Sequence, residues 1–171
     1  TRDVLADKEV RQALQHATNK QTISEGIFYG LEQPADTLFA KTVPYCDIDL
    51  EPYAYDVELA QSMLDEAGWV VGSDKIREKD GQKLNIDLLY NSDSVTEKAI
   101  AEYLQSEYQK IGIALNIHGE EEQSYRDNMK AGNFDMVFNI CWGTPYDPQS
   151  SLAAMRAPVY GDYAAQLGLE D

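Results

Sequence analysis

The residues best equipped to meet a ligand lie in one short stretch, NICWGTPYDPQSS, from 139 to 151. Trp142 and Tyr146 flank Gly143 and Pro145, and Asp147-Pro148 stiffens the chain that follows. Proline fixes φ, so aromatic rings held in this way lose little freedom when they pack on a ligand. Indole and phenol faces offer apolar area and a negatively polarised π-surface. Such a site would bind rather than react. The residues alone leave a second reading open, in which Trp142 and Tyr146 plug the core and Asp147 caps a helix starting near Gln149.

Other reactive side chains are scattered. His16 falls in a helical stretch beside Ala13 and Ala17 and reads as an ordinary packed or surface histidine. His118 is expected at the end of a strand, followed by Gly119, Glu120, Glu121 and Glu122. Nitrogen and oxygen donors so close could in principle hold a cation, but adjacent side chains point different ways, which favours a solvated acidic turn. Cys46 and Cys141 have no metal-ligand spacing and define no disulfide framework. Alternation places Cys141 opposite the Trp142 face, as a buried thiol. The chain contains no Gly-x-Ser-x-Gly elbow, no His-Glu-x-x-His and no phosphate-cradling glycine loop, so nothing supports an enzyme.

Charge narrows the partners. Fourteen basic against thirty acidic residues give a formal charge of -16, which repels nucleic acid and anionic membrane surfaces. No window approaches the roughly 18 apolar residues of a membrane span. The first residues, TRDVLADKEVRQ, lack the apolar core and cleavage site of a signal peptide, so any export signal is expected to have been removed or left out. The length, 171 residues, suits one domain with a real core.

The elements that must position the aromatic stretch follow from periodicity. Asp7 is expected to cap a helix through Val10, Leu14 and Ala17, and Thr22 with Glu25 to form the capping box of a second, ending near Gly30. Residues 31–55, broken by Pro34, Pro44 and Pro52, read as a long ordered loop. Asp56 caps a helix with Ala60, Met63, Leu64 and Ala67 on one face, stopped by Gly68. An Asp80-Gly81 turn makes a hairpin that opens the sheet, leading into a strand with Leu84, Ile86, Leu88 and Tyr90 on one buried face. Ser94 and Glu97 form another capping box for a helix through Ala101, Leu104, Tyr108 and Ile111; after Gly112 a strand carries Ile113, Leu115 and Ile117. Strand, helix, strand implies a right-handed parallel crossover. A short helix from about Ser124 to Ala131 stops at Gly132, and Phe134, Met136, Phe138, Ile140 and Trp142 alternate through a last strand. The outcome is an α/β lobe with a small mixed sheet, flanking helices, and Trp142 at a strand's carboxyl end, where ligands collect.

Four segments, VRQALQHATNKQTI, PYAYDVELAQSMLDEAGW, AEYLQSEYQKIGIALNI and FDMVFNICWGTPYDP, resemble in order the recurring segments of the extracytoplasmic solute-binding proteins for peptides and nickel. LFAKTVPYCDIDLEPYAYD, IREKDGQKL, GEEEQSY and WGTPYDPQSSLAAMRAP look most like the nickel-binding branch. The resemblance implies one lobe of a periplasmic-binding-protein-like (type II) clamp serving an ABC transporter permease. It also implies a place in the periplasm or, through a lipid anchor outside this fragment, on the outer face of the plasma membrane. Members are roughly three times this length, so residues 1–171 resemble a single C-terminal lobe cut near the hinge on both sides. No cofactor is implied; the ligand is nickel as an organic chelate, with a peptide as the alternative. Trp142 and Tyr146 match the branch's aromatic wall. Arg156 matches an arginine that can pair with chelator carboxylates, or serves as a helix-terminal structural residue. Tyr160 stands where the branch can place a metal-ligating histidine. A phenol with a reference pKa near 10 is a poor nickel ligand at neutral pH, so the chelator itself fills more of the coordination sphere.

Overall fold

The computed structural model of the chain describes residues 3–37 and 39–139. A short 3-10 turn, Asp3–Leu5, leads into α1 (Lys8–His16) and α2 (Lys20–Gly26); α3 (Val57–Glu66) follows a long loop. Next come β1 (Val70–Val71), β2 (Arg77–Lys79), β3 (Gln82–Lys83) and β4 (Asn85–Asn91). The described chain continues through α4 (Val95–Lys110), β5 (Ala114–Glu120), α5 (Glu122–Ala131) and β6 (Met136–Val137).

The strands form two sheets. One is parallel, in the order β5-β4-β6, and the other is antiparallel, in the order β1-β2-β3. The hairpin therefore does not open the main sheet but builds its own. Its turn is the expected one, with Asp80 and Gly81 both left-handed at φ 52 and 79, which matches the twist of a two-residue hairpin.

Central β4 explains the layering. Leu84, just before it, and Ile86, Leu88 and Tyr90 within it face one core with Val10 and Ala13 of α1, Leu64 of α3, and Ala101, Leu104 and Tyr108 of α4. One buried face was the expectation, yet Leu89 is buried too, against Tyr125 and Met129 of α5. A strand in the middle of a parallel sheet is covered on both faces, which alternation alone does not reveal. β4, α4 and β5 form the expected parallel crossover, in register from Asn85↔Ala114 to Asn91↔Glu120.

Helix starts show where side-chain oxygens reach free amides. Asp7 accepts from Glu9 N at 3.1 Å and Asp56 from Leu59 N at 2.9 Å, as expected. α2, in contrast, is capped by Asn19, which accepts from Thr22 N at 3.0 Å. Thr22 lies one turn inside the helix, so the Thr22 and Glu25 capping box does not form. Only half of the Ser94 box exists: Ser94 Oγ accepts from Glu97 N at 3.2 Å, but the Glu97 carboxylate turns to Asn91 N at 2.8 Å. β6 is shorter than the alternation suggests, and Phe134 packs with Val137 on the α5 side while Met136 and Phe138 pack on the main core. Ile140 lies outside the described residues.

A buried cation joins the hairpin to the rest. Arg77, 3 % exposed, donates through Nε to Ile111 O at 2.7 Å and through Nη1 to Trp69 O at 2.6 Å. Nη1 also reaches Asp65 Oδ1 at 2.5 Å, and Nη2 reaches Gln61 O at 3.3 Å. Its aliphatic stem lies against Gly112, where a Cβ would fall 2.8 Å from Arg77 Cγ while the backbone holds φ at 81.

The long loop has no helix or strand among its described residues but is tied down at both ends. Ser24 Oγ donates to Glu32 O at 2.5 Å, and Lys20 pairs with Asp36 at 3.0 Å. His16 Nδ1 donates to Ala54 O at 2.7 Å with its ring edge-on to Tyr53, and Tyr55 OH donates to the buried Glu107 at 2.7 Å. His16 is thus the ordinary packed histidine expected.

Two outcomes test this packing. Gly112→Ala combines a left-handed backbone with a clash against Arg77 and is expected to lower stability by about 2 kcal/mol, read as a lower urea midpoint. Burial pushes the Tyr108 phenol up to about 12, against which its hydrogen bond with Thr18 acts weakly. A group raised in the folded state stabilises it below the unfolded value of about 10, and that contribution fades as pH climbs towards 12. Chemical denaturation between pH 9 and 12 is expected to show a shallower alkaline loss of stability for Tyr108→Phe than for the native chain.

Candidate ligand-binding edge

Parallel strands end together, and the carboxyl ends of β4, β5 and β6 share one edge of the main sheet. Ligands of open α/β sheets sit outside such ends, because the loops there are free to vary over a fixed scaffold. Asn91 organises the edge at the end of β4. Its Nδ2 donates to Glu122 Oε2 at 2.6 Å, its Oδ1 accepts from Asp93 N at 3.0 Å, and its backbone N–H goes to Glu97 at 2.8 Å. At the end of β5, Glu120 accepts from Ser92 N through its carbonyl at 2.8 Å and from Ser124 Oγ through its carboxylate at 2.8 Å. The amide that ends β4 thereby binds the start of α4 to the start of α5.

The exit from β6 is fixed by Tyr125, whose hydroxyl donates to Phe138 O, while Phe138 N donates to Leu89 O at 3.4 Å. Burial first, then the charges of Glu97 and Glu122, push the Tyr125 phenol up to about 12, so it is a hydrogen-bond donor at neutral pH. Glu97, Glu120 and Glu122 make the edge acidic, relieved locally by the Arg126–Glu122 ion pair. An acidic edge favours ligands that carry positive charge.

The residues expected to touch ligand, Trp142, Tyr146, Arg156 and Tyr160, lie outside the described residues, as do Cys141 and Asp147. The described chain reaches Asn139, two residues past β6 and the first residue of the 139–151 stretch. His118 does not end its strand but lies inside β5, with Nε2 3.3 Å from Asp87 Oδ1. The three glutamates that follow separate as alternation demands: Glu120 ends β5, Glu121 precedes α5 without a side-chain capping bond, and Glu122 joins Asn91. Among the described residues no three His, Cys, Asp or Glu side chains are placed to hold a metal ion. Asn91 and Tyr125 were not visible as edge residues in the sequence. The one signal was an asparagine closing an apolar strand directly ahead of the Ser94 cap, the pattern of an Asx turn.

The comparisons agree with this architecture. Residues 1–162 match the family model described as bacterial extracellular solute-binding proteins, family 5 Middle. The nickel-binding periplasmic protein of Escherichia coli (strain K12) is 42% identical over 163 residues, covering 95% of this chain and 31% of that protein. The crystal structure of NikA from Brucella suis in complex with Fe(III)-EDTA superposes with a TM-score of 0.86 at 47% identity, over 97% of this chain and 34% of that one. The oligopeptide-binding protein AppA from Bacillus subtilis, in complex with a nonapeptide, superposes with a TM-score of 0.78 at 28% identity, over 86% of this chain and 30% of that one. The chain spans about a third of the length of these relatives. Its neighbours in structure are type II periplasmic binding proteins, of which it forms part of a lobe. By sequence match and by fold, the chain belongs to the bacterial extracellular solute-binding proteins of family 5.

Proposed function

We propose that the chain is one lobe, the C-terminal one, of an extracytoplasmic solute-binding protein that captures nickel as an organic chelate and delivers it to an ABC transporter permease. The observation that supports the reading is the likeness to curated relatives: 42% identity to a nickel-binding periplasmic protein over 95% of the chain, against 30% and 29% to an oligopeptide-binding and a dipeptide-binding protein over 78% and 88%. Capture takes place between this lobe and its partner lobe, and closure of the two creates the affinity. In this reading Trp142 and Tyr146 form an aromatic wall on which the chelate packs, and Arg156 pairs with a chelator carboxylate. Tyr160, neutral at pH 7, leaves the metal to the chelator's own donors. The acidic edge around Glu97 and Glu122 adds attraction for a cationic complex. A peptide ligand is the second reading, supported by the good superposition on the nonapeptide-bound relative.

Calorimetric titration of the full-length parent distinguishes these readings. Nickel with histidine is expected to bind, and nickel alone or a mixed peptide pool to bind weakly or not at all. Trp142→Ala should weaken the complex about tenfold, the scale of losing one aromatic anchor. Tyr160→His should strengthen binding of nickel alone by supplying an imidazole ligand. Peptide binding without any nickel response would overturn the nickel reading while leaving the family unchanged.

A further inference from the structure

The chain leaves β6 through Phe138, four residues before Trp142, and both polar groups of its backbone are held. Phe138 N–H reaches Leu89 O of β4 at 3.4 Å, a long and therefore weak bond, and Phe138 O accepts from the Tyr125 hydroxyl of α5. β6 itself pairs with β4 only at Met136 and Val137, so the ladder gives this exit little further support.

The hydroxyl that supplies the second tie stands on a fixed base. The Tyr125 ring is 9% exposed and packs with Leu89 and Met129, with Phe134 and Val137 against them. The first turn of α5 has no side-chain cap at Glu121 and is tied instead to the ends of β4 and β5, by Asn91 to Glu122 and by Ser124 to Glu120. With the phenol pushed up to about 12, the donor is present throughout the neutral range. A phenylalanine would fill the same packing, so packing does not account for a hydroxyl aimed at this one carbonyl.

We propose that Tyr125 is a positioning residue for solute capture: acting through the Phe138 carbonyl, its hydroxyl aims the chain that runs on to Trp142 and Tyr146, without itself touching the solute. The inference rests on reading those two aromatics as the wall on which the solute packs. Rings add most affinity when they are held near the productive geometry before the ligand arrives, and the tie at Phe138 is close enough along the chain to set that geometry. Without it the exit pivots about the weak bond to Leu89, and ordering the rings opposes binding.

Tyr125→Phe removes the hydroxyl and keeps the ring. In calorimetric titrations of the full-length parent with nickel plus histidine, it is expected to weaken binding about fivefold, the scale of one hydrogen bond. Combined with Trp142→Ala it is expected to add less than about twofold, because a residue that acts through the aromatic wall has little to position once the wall is broken. Met129→Ala, which opens the packing beside Tyr125 and leaves the hydroxyl, is expected to lower Tm more than Tyr125→Phe yet weaken binding less. Native affinity in Tyr125→Phe, an equal loss with and without Trp142, or losses that rank with Tm between Tyr125→Phe and Met129→Ala would overturn the proposal. If the native parent takes the mixed peptide pool and not the nickel complex, the same cycle is run with the peptides, so the nickel reading and this one fail separately; a native parent that binds neither overturns both.

Discussion

A charge taken out of water must find its full set of partners inside the protein, and Arg77 sets that condition for this lobe. Its guanidinium meets three backbone carbonyls, of Gln61, Trp69 and Ile111, and the carboxylate of Asp65. One of these carbonyls, from Ile111, is at the C-cap of α4, where the helix dipole favours a cation, and Asp65 lies in the last turn of α3. Asp65 is largely exposed, so solvent screens that ion pair and the carbonyls carry more of the compensation. Losing any one partner leaves an under-solvated charge, so the ends of α3 and α4 and the strand β2 are held together as a set.

From that junction the main sheet acquires its register. Arg77 N donates to Gly112 O at 2.8 Å and Ala114 N to Leu84 O at 3.1 Å, which starts β4 and β5 side by side. Seven paired residues later the strands finish together at Asn91 and Glu120. The candidate edge is therefore positioned from the opposite end of the sheet, and the interlinked Asn91, Glu97 and Glu122 bonds fasten it there. Asp7 gives a second tie of the same kind. It caps α1 and also accepts from Trp69 Nε1 at 3.3 Å and Lys79 Nζ at 3.2 Å, joining the first helix to the hairpin.

Most of the elements were legible in the sequence because their signals are local. Asp7, Asp56 and Ser94 each reach an amide two or three residues away, and Asp80-Gly81 sets its own turn. What was not legible depends on distant chain. The cap of α2 passed to Asn19 because its side chain precedes the helix, while Thr22 is already inside it. Glu97 left its capping box because β4 ends next to it and offers a free amide at Asn91. Burial of Leu89 required α5, and the separation of the hairpin from the main sheet required the two-residue strand β1 as its partner. At the candidate site, the sequence suggested which aromatic residues are suited to bind, and the fold supplied the polar residues that build the edge before them.

The loop that separates α2 from α3 has an entropic consequence for how relatives can diverge. Its two ends are pinned by hydrogen bonds, one of which joins His16 and Ala54, 38 residues apart in sequence. Closing a loop costs free energy that grows only with the logarithm of its length, so doubling it adds roughly 0.6 kcal/mol. Insertions, deletions and changes of composition between the pins are thermodynamically cheap, whereas a change at Arg77 or Asn91 disturbs several elements at once. Lineages can therefore remodel this segment at little cost while the sheet and its carboxyl edge stay as they are.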